Sequence, residues 1–216
     1  MIKFNFKLNK EVHSVEIPSG WNEVKVKHYK KLEDLEPTFD YEVLACFTDF
    51  SFQDFGNGTS KDDLFVIQEL MSFLNDKTPL NKAKKKDRLL MGDKYIKPPV
   101  KVYLETIGQK SMAKPILAKY TDKEKQPSID DIIDLCAIYF QPAYSGKFNA
   151  DLIPGTRAYI MEMHLIDVIP WFLFFFRKLS ITKIYGILGL KVSLKTLRRI
   201  LSSRRRAAIS LTNSQI

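Results

Sequence analysis

The chain opens with an alternation of apolar and polar residues, which is the pattern of a half-buried β-strand. Its apolar positions are Ile2, Phe4, Phe6 and Leu8. A turn-like Asn9-Lys10-Glu11 follows, and a second apolar set then runs to the break at Pro18-Ser19-Gly20. That second set is Val12, Val15 and Ile17. Two short amphipathic strands joined by a tight turn predict an N-terminal β-hairpin.

After the hairpin the apolar spacing changes to three and four residues, which indicates helices. Residues 22–32 form the first predicted helix, with Asn22 as its N-cap. Residues 39–50 form the second, and Gly56-Asn57-Gly58 is expected to break the chain before a third helix capped by Ser60. The apolar stripe of the third helix is Leu64, Ile67, Leu70, Met71 and Leu74. The second and third helices are expected to pack as a helical hairpin.

Positive charge dominates the segment 79–100. Between Pro79 and Pro99, seven basic residues face only the two acids Asp87 and Asp93. The basic residues are Lys82, Lys84, Lys85, Lys86, Arg88, Lys94 and Lys97. This composition predicts an exposed basic linker or a short strand region that ends at Pro98-Pro99.

The second half of the chain returns to helical spacing. Residues 100–117 form one predicted helix, and Ser128-Ile129-Asp130-Asp131 has the capping-box spacing at the start of another, which Pro142 is expected to end. A longer helix starts near Gly155 and is expected to end or kink at Pro170. The predicted fold class is therefore α+β and mainly α-helical, with an N-terminal β-hairpin, a helical body and a basic C-terminal helix. The predicted domains are the hairpin with its helices at 1–78, the basic linker at 79–100, a helical part at 101–190 and a basic arm at 191–216.

Charge is divided unevenly along the chain. Of the 34 basic and 25 acidic residues, ten basic and no acidic residues lie in 168–216. Residues 1–167 carry 24 basic and 25 acidic residues, so the C-terminal segment holds the whole net charge. Positive charges concentrated in one segment attract polyanions over a Debye length of about 10 Å. The charge segregation therefore predicts a polyanionic partner.

Residues 191–206 have the pattern of a basic amphipathic helix. Its polyanion-binding candidates are Lys191, Lys195, Arg198, Arg199, Arg204, Arg205 and Arg206. Its apolar face, a candidate for docking on a partner, is Leu194, Leu197 and Leu201. Such a helix docks on a partner helix, lies on an anionic membrane or contacts phosphates, and the alternative is a solvated face with an ordinary packing stripe. The sequence contains no helix-turn-helix, zinc-binding or RNA-recognition motif, so sequence-specific recognition of nucleic acid is not expected.

The longest apolar run is residues 168–176, which Asp167 and Arg177 bound on either side. A membrane-spanning helix needs about 20 apolar residues, so this run is too short to cross a bilayer. We expect a buried helix, and the alternative is a helix lying in the membrane surface with Trp171 and Tyr185 as anchors. The aromatic candidates for docking a partner are Trp21, Trp171, Phe172, Phe174, Phe175 and Phe176.

The sequence contains no catalytic or metal-binding signature. The three histidines lack a metal-ligand spacing and are expected to be structural or surface residues. They are His13 in a strand, His28 on an exposed helix and His164 in the long apolar helix. Cys46 and Cys136 lie in apolar stretches, which suits buried thiols in a reducing compartment. Asp130, Asp131 and Asp134 could pair for acid–base chemistry, but helix capping explains the first two. We therefore predict no enzyme activity, no cofactor and no metal.

A resemblance adds a functional expectation. The run from Ile17 to Leu32, with its Trp21-x-x-Val24 corner and Tyr29-x-x-Leu32 helix, resembles the opening of small virion and tail-assembly proteins of tailed bacteriophages, including the crAss-like group. Residues 170–176 are similar to a Phe-Phe-Leu segment near the end of some such chains. The resemblance implies a non-enzymatic structural protein that acts in tail or connector assembly or is packaged in the virion.

The implied partners are other virion or assembly proteins within an oligomer or larger complex. The basic arm would contact DNA, without sequence specificity, or an acidic protein partner. The implied location is the virion, or the host cytoplasm during assembly. Two alternatives remain open: a membrane-surface protein that uses residues 168–190 and the basic arm, and a non-specific nucleic-acid-binding module.

Overall fold

The computed structural model describes residues 1–8, 10–35, 37, 40–58, 61–100, 106–120 and 127–179. These residues form two units that interleave along the sequence. The first unit contains Met1–Glu23 and Lys31–Lys77, and the second contains Val24–Lys30 and the described residues from Thr78 onward. The fold is α+β and mainly α-helical, with an N-terminal β-hairpin, as predicted. The basic arm at 191–216, including its predicted helix, lies outside the described residues.

The first unit begins with strands β1 (Ile2–Leu8) and β2 (Glu11–Ile17), which pair in antiparallel fashion. Phe4 and Val15 stand opposite each other on the buried face. Lys10 has a φ of 71°, the left-handed conformation that a tight hairpin turn requires. The following helices are α1 (Val26–Leu35), which begins in the second unit, α2 (Asp40–Ala45), α3 (Phe52–Gly58), α4 (Lys61–Leu70) and a 3-10 helix at Met71–Asn75.

Aromatic side chains build the core of the first unit. Phe6 of β1 lies 4.6 Å from Phe55 and 5.1 Å from Phe50 between ring centroids. Trp21 is buried, and its Nε1 donates a hydrogen bond of 2.6 Å to the carbonyl oxygen of Asp76. The hairpin is therefore fixed by ring packing, and the corner after it by a buried indole.

The start of α1 differs from the prediction. Asn22 does not cap the helix, because residues 20–23 form a turn closed by a 3.0 Å hydrogen bond from the Glu23 amide to the Gly20 carbonyl. The helix begins at Val26, which is fully buried. The turn delays the helix by three residues relative to a start after Asn22, and the buried Val26 becomes its first position.

Two further boundaries in the first unit differ from the prediction. The helix expected at 39–50 ends at Ala45. Residues Gly56-Asn57-Gly58 were expected to be a break, but they are the last three residues of helix α3. Burial of Phe55 on α3 outweighs the low helix propensity of the two glycines. The predicted cap Ser60 lies outside the described residues, and the helix that it was expected to start is α4.

The second unit is built around the long helix α7. Its elements are α5 (Thr78–Lys82), β3 (Leu89–Met91), β4 (Lys94–Ile96), α6 (Ile107–Ala118), α7 (Ile129–Ser145), a 3-10 helix at Ala150–Leu152, α8 (Ile153–Glu162) and α9 (Leu165–Leu179). Helices α6, α8 and α9 all contact α7. Eleven of the seventeen residues of α7 are buried, so its side chains form the centre of the core.

Side-chain caps set the starts of α6 and α7. Thr106 caps α6 in a reciprocal capping box with Gln109, so this helix begins at Ile107 and not at residue 100. Ser128 caps α7 as predicted, because its Oγ accepts a 3.2 Å hydrogen bond from the Asp131 amide. Each cap satisfies an amide that would otherwise lack a partner in the first helical turn.

Two prolines predicted to interrupt helices lie inside them. Pro142 is within α7, which continues to Ser145 and ends at Gly146 with a φ of 88°. Pro170 is within α9. The single helix expected from Gly155 onward is instead two helices, α8 and α9.

The break between α8 and α9 has a long-range cause. Lys25 and His164 form an isolated antiparallel bridge. The Val26 amide donates to the Met163 carbonyl at 2.9 Å, and the Leu165 amide donates to the Val24 carbonyl at 2.8 Å. These bonds hold residues 163 and 164 in an extended conformation that no sequence pattern around them indicates.

The segment 79–100 is part of the second unit and is not a separate linker. It contains the antiparallel hairpin of β3 and β4 and most of α5, so the predicted alternative of a short strand region describes it better. Leu80, Leu89, Met91 and Ile96 are buried. Their burial explains why so basic a segment packs against the helical body.

Candidate polyanion-binding surface

The hairpin of β3 and β4 has one buried face and one exposed face. Successive side chains of a strand point to opposite faces. Leu89, Met91 and Ile96 are buried on the inner face, where β3 contacts α8 and β4 contacts α7. The alternating positions on the outer face are all exposed, and we call them the ribbon platform. The ribbon platform consists of Arg88, Leu90, Tyr95 and Lys97.

The register of the hairpin pairs the two platform residues that lie within the strands. Leu90 stands directly opposite Tyr95, and the two residues are 53% and 73% exposed. Arg88 immediately precedes β3 and Lys97 immediately follows β4, and both are exposed. Leu89 and Ile96, their neighbours in the chain, are the pair that ends the ladder, so the two cations lie at the same end of the hairpin. An anion bound at this end would be attracted by both charges.

The turn of the hairpin is fixed to the helical body. Gly92 has a φ of 63°, and a Cβ at this position would lie 2.8 Å from the Tyr159 ring. The Tyr144 hydroxyl donates to Asp93 Oδ1 at 3.0 Å, and Lys94 Nζ lies 4.8 Å from the centre of the Tyr144 ring. Hydrogen bonds with Tyr159 and Asp93 raise the pKa of Tyr144 above its usual value, so this anchor stays neutral. The turn is thus positioned by close packing, a hydrogen bond and a cation–π contact.

The chain that leads into the hairpin is fixed at a second place. Trp171 Nε1 donates to the carbonyl oxygen of Lys86 at 3.2 Å. Lys86 Nζ lies 2.7 Å from Asp167 Oδ1. Lys85 Nζ lies 3.8 Å from the centre of the Phe174 ring. The hairpin is held at both its base and its turn, which preorganises the ribbon platform.

The remaining basic side chains of this segment point to solvent. Lys82, Lys84, Arg88 and Lys97 are exposed, and none takes part in a salt bridge within the described ranges. Their charges are therefore available to an external anion. Residues 82–97 are therefore the candidate region for binding an anion.

Four acids of the second unit, Asp130, Asp131, Asp134 and Glu162, form salt bridges with basic residues outside the segment 79–100. Asp130 contacts Lys30 at 2.7 Å and Arg157 at 3.3 Å, and Asp134 also contacts Arg157. Hydrogen bonds from Lys25 and Lys27 lower the pKa of Glu162 below its usual value. These carboxylates form ion pairs between elements, which gives Asp130 a structural role in addition to its predicted place in the first turn of α7.

Asp131 is the buried acid of this group. Its carboxylate accepts hydrogen bonds from Lys119 at 2.7 Å, from the Ser128 hydroxyl at 2.9 Å and from the Tyr120 hydroxyl. Burial raises the pKa of Asp131, but the three hydrogen bonds outweigh burial and hold the pKa below its usual value. Asp131 therefore stays ionised as a structural anchor between the end of α6 and the start of α7.

The basic candidates predicted in the arm fall in a part of the chain that the structure does not describe. Lys191, Lys195, Arg198, Arg199, Arg204, Arg205 and Arg206 lie outside the described residues, as do Leu194, Leu197 and Leu201. Their assignment to polyanion binding and partner docking stays a prediction.

Most of the aromatic docking candidates are core residues. Trp21 is buried in the first unit. In the second unit the buried candidates are Trp171, Phe172, Phe175 and Phe176. A buried ring has no surface to offer a partner, so these five assignments are corrected to packing roles. Phe174 is half-buried, and Lys85 covers its ring. The prediction that the aromatic run forms a buried helix is confirmed.

The histidines occupy three different environments. His13 lies in β2 as predicted, and its ring centroid is 5.6 Å from that of Phe6. His28 was expected on an exposed helix but is buried, and its Nδ1 accepts a hydrogen bond of 3.4 Å from the Lys25 amide. His164 is exposed at the break between α8 and α9 and is not inside a helix.

Both cysteines are buried free thiols, as predicted. Burial raises the pKa of Cys46 to about 12 and raises the pKa of Cys136 as well. Both groups are therefore protonated at neutral pH, and a protonated thiol is a poor nucleophile.

Comparison of the chain with protein-family models, with curated proteins and with solved structures gives no match. Among the described residues, no group of three or more His, Cys, Asp or Glu side chains is arranged to hold a metal ion. No helix in the described ranges has the length and apolarity that crossing a bilayer would need.

Sequence reasoning missed the ribbon platform because it treated residues 79–100 mainly as a charged connection. A signal was present: Gly92-Asp93 separates two short apolar runs, which is a hairpin pattern. Alternation on either side of this turn places Leu90 and Tyr95 on the face opposite the buried residues.

Proposed function

We propose that this chain is a non-enzymatic structural or assembly protein of a tailed bacteriophage particle. It acts in tail or connector assembly or is packaged in the virion, and it works through protein–protein contacts. Its basic surfaces contact DNA or an acidic protein partner. The proposal places the chain in the virion, or in the host cytoplasm during assembly, as part of an oligomer or larger complex.

The observation that carries the polyanion part of this proposal is the ribbon platform with its basic surroundings. Four exposed basic side chains of this segment lack salt bridges in the described part of the chain, whereas four acids of the same unit form salt bridges with basic residues outside the segment. The ten basic residues of 168–216 add to the same sign of charge. The phage assignment itself rests on the resemblance of residues 17–32 and 170–176.

The membrane-surface alternative receives less support. It needs the aromatic residues of 168–176 at the lipid surface, but Trp171, Phe172, Phe175 and Phe176 are buried. A lipid contact through these rings would require α9 to leave its packing against α7.

The test is quantitative mass spectrometry of purified particles and of assembly intermediates from the infection that produces this chain. We expect peptides of the chain at a fixed ratio to known structural proteins through successive density gradients. A chain that is expressed but absent from particles and from every assembly intermediate would contradict the proposal. Cross-linking of the same samples would identify the neighbouring protein.

A further inference from the structure

We infer that the ribbon platform binds single-stranded nucleic acid, with Tyr95 stacking on an unpaired base and Arg88 and Lys97 contacting the backbone phosphates. This inference deepens the proposed function, because it rests on the polyanion contact and names the ligand and the site. The platform lies within the described residues and does not involve the basic arm.

Tyr95 has the exposure that base stacking requires. It is 73% exposed on a strand whose other face packs on α7. An aromatic ring on the open face of a sheet, with basic residues beside it, is the usual arrangement for binding unpaired bases. In a duplex the base faces are already stacked on one another, so the ring selects a single strand over a duplex.

The basic residues of the platform indicate that its ligand is negatively charged. Arg88 and Lys97 flank the ladder at its Leu89–Ile96 end, and each is two residues along the chain from Leu90 or Tyr95. A nucleic-acid strand presents phosphates and bases side by side, which matches cations beside an aromatic ring. Leu90 extends the apolar surface beside Tyr95, so a stacked base gains contact on more than the ring alone.

The size of the platform disfavours a protein partner. Each strand of the hairpin has three residues and spans about 10 Å at about 3.3 Å per residue. A stable protein interface buries about 800 Å² on each partner, which is far more than the two exposed apolar side chains of this face offer. One base stacked on Tyr95 needs no such area. The observations therefore favour nucleic acid over an acidic protein at this face.

The anchoring of the hairpin reduces the cost of binding. The packing of Gly92 against Tyr159, the Asp93–Tyr144 hydrogen bond and the Trp171–Lys86 hydrogen bond leave the backbone of the platform fixed before the ligand arrives. A preorganised site loses less conformational entropy on binding.

The experiment measures fluorescence anisotropy of a labelled oligothymidylate of about 15 nucleotides, within the range of single-strand site sizes, and of a duplex of equal length. The full-length chain is titrated at several salt concentrations. Tyr95→Ser removes the ring and Tyr95→Phe retains it. Phe65→Ser is the matched control, because Phe65 is a 69% exposed aromatic residue in the first unit. Circular dichroism establishes that each variant is folded.

We expect Tyr95→Ser to weaken single-strand binding by at least about fivefold, since stacking of one base contributes that much or more. Tyr95→Phe and Phe65→Ser should bind like the native chain. Duplex binding, which the basic arm can also supply, should change less than about twofold in all three variants. Equal binding of the single strand by Tyr95→Ser and the native chain would overturn the inference.

A second pair of variants tests the cations. Arg88→Gln with Lys97→Gln should make the slope of log K against log salt concentration shallower by about 0.7 for each lost phosphate contact. The control, Lys3→Gln with Lys7→Gln, removes two exposed charges from the N-terminal hairpin and should leave the slope unchanged. Equal effects of the two double variants would show only a loss of net charge and would overturn the assignment of the site.

Two further outcomes distinguish this inference from the proposed function. A full-length chain that fails to bind the oligonucleotide at low salt overturns the inference, while its presence in particles would still support the assembly role. If polyglutamate of equal charge displaces the oligonucleotide and Tyr95→Ser weakens polyglutamate binding equally, the platform takes an acidic protein and the inference is wrong.

Discussion

Asp131 shows how one buried carboxylate can join the end of one helix to the start of the next. Its three side-chain donors come from Lys119 and Tyr120, which follow α6, and from Ser128, which caps α7. Residues 121–126 lie outside the described residues, yet the two helix ends are linked directly by these bonds. A charged acceptor makes stronger hydrogen bonds than a neutral one, so this link depends on the ionised form of Asp131.

We predict that Asp131→Asn lowers the free energy of unfolding at pH 7 by about 1.5–3 kcal/mol, since it weakens charge-assisted hydrogen bonds and leaves the buried Tyr120 hydroxyl poorly matched. Urea denaturation followed by circular dichroism measures this change. The control is Asp130→Asn, which removes a half-exposed carboxylate and should cost about 1 kcal/mol or less.

The same residue predicts a dependence on pH. The pKa of Asp131 is lowered in the folded chain, so its contribution is fully present above the unfolded value of about 3.9 and is lost as the pH falls through the folded pKa. The stability difference between the native chain and Asp131→Asn should therefore be constant from about pH 5 to neutral pH and shrink below about pH 4. A difference that grows in acid would contradict the assignment.

At the scale of elements, the β3–β4 hairpin depends on the backbone at its turn. We predict that Gly92→Ala lowers the free energy of unfolding by about 1–2 kcal/mol, because a Cβ is strained at a φ of 63° and would meet the Tyr159 ring at 2.8 Å. Thermal unfolding followed by circular dichroism measures the loss.

The matched control for that substitution lies in α8. Gly155 occupies a helix, and the Cβ of an alanine there would meet no atom within 4 Å. Gly155→Ala should therefore raise the free energy of unfolding by about 0.5–1 kcal/mol. The two substitutions make the same chemical change with opposite expected signs. Equal effects at both positions would show that the backbone conformation of Gly92 and its contact with Tyr159 do not determine the loss of stability.

Helix α9 allows a test of the packing role of the aromatic run. Phe175 is fully buried, and its ring lies 4.8 Å from that of Tyr139 on α7. We predict that Phe175→Ala lowers the free energy of unfolding by about 3–5 kcal/mol. Phe174→Ala should cost about 1–2 kcal/mol, because that ring is only half-buried, in contact with Trp171, Phe175 and Lys85. Chemical denaturation of both variants shows whether Phe175→Ala is the more destabilising of the two. A docking role for the whole aromatic run would not produce this difference.

The elements that could be predicted from sequence are those set by local signals. The hairpin β1–β2 follows from alternation, and the start of α7 follows from Ser128 and the acids after it. The break between α8 and α9 could not be predicted, because hydrogen bonds to Val24 and Val26, far away in sequence, create it. Pro142 was wrongly expected to end its helix for a related reason: the packing of α7 in the core outweighs the hydrogen bond that the proline removes. Pro170 does not end α9 either, and the alternative of a kink at Pro170 stays a prediction.

The candidate site was predictable only in part, for a similar physical reason. Composition shows that residues 79–100 are basic. Which of these basic side chains face solvent, and which pair with acids of the same chain, depends on tertiary contacts. Lys86 is neutralised by Asp167, whereas Arg88, two residues later, is exposed without a salt bridge in the described ranges. No local pattern distinguishes these two residues.

At the scale of the whole molecule, the net positive charge is concentrated in residues 168–216, and this concentration predicts a polyanionic partner. We predict that replacing Arg198, Arg199, Arg204, Arg205 and Arg206 together by Gln makes the salt slope of single-strand binding shallower by at most about 0.7 for each lost contact. The roughly fivefold effect of Tyr95→Ser should persist in this background. Anisotropy titrations at several salt concentrations measure both quantities, and a complete loss of binding would place all phosphate contacts in the arm.

The interleaved units have a consequence for synthesis on the ribosome. Val24–Lys30 belongs to the second unit, and its hydrogen-bonded neighbours are Met163, His164 and Leu165. At about 5–20 residues per second, the stretch from Lys25 to His164 takes on the order of ten seconds to translate. Throughout that interval the hydrogen-bonding partners of Val24 and Val26 have not yet been synthesised. Completion of the second unit is therefore timed by the emergence of α9.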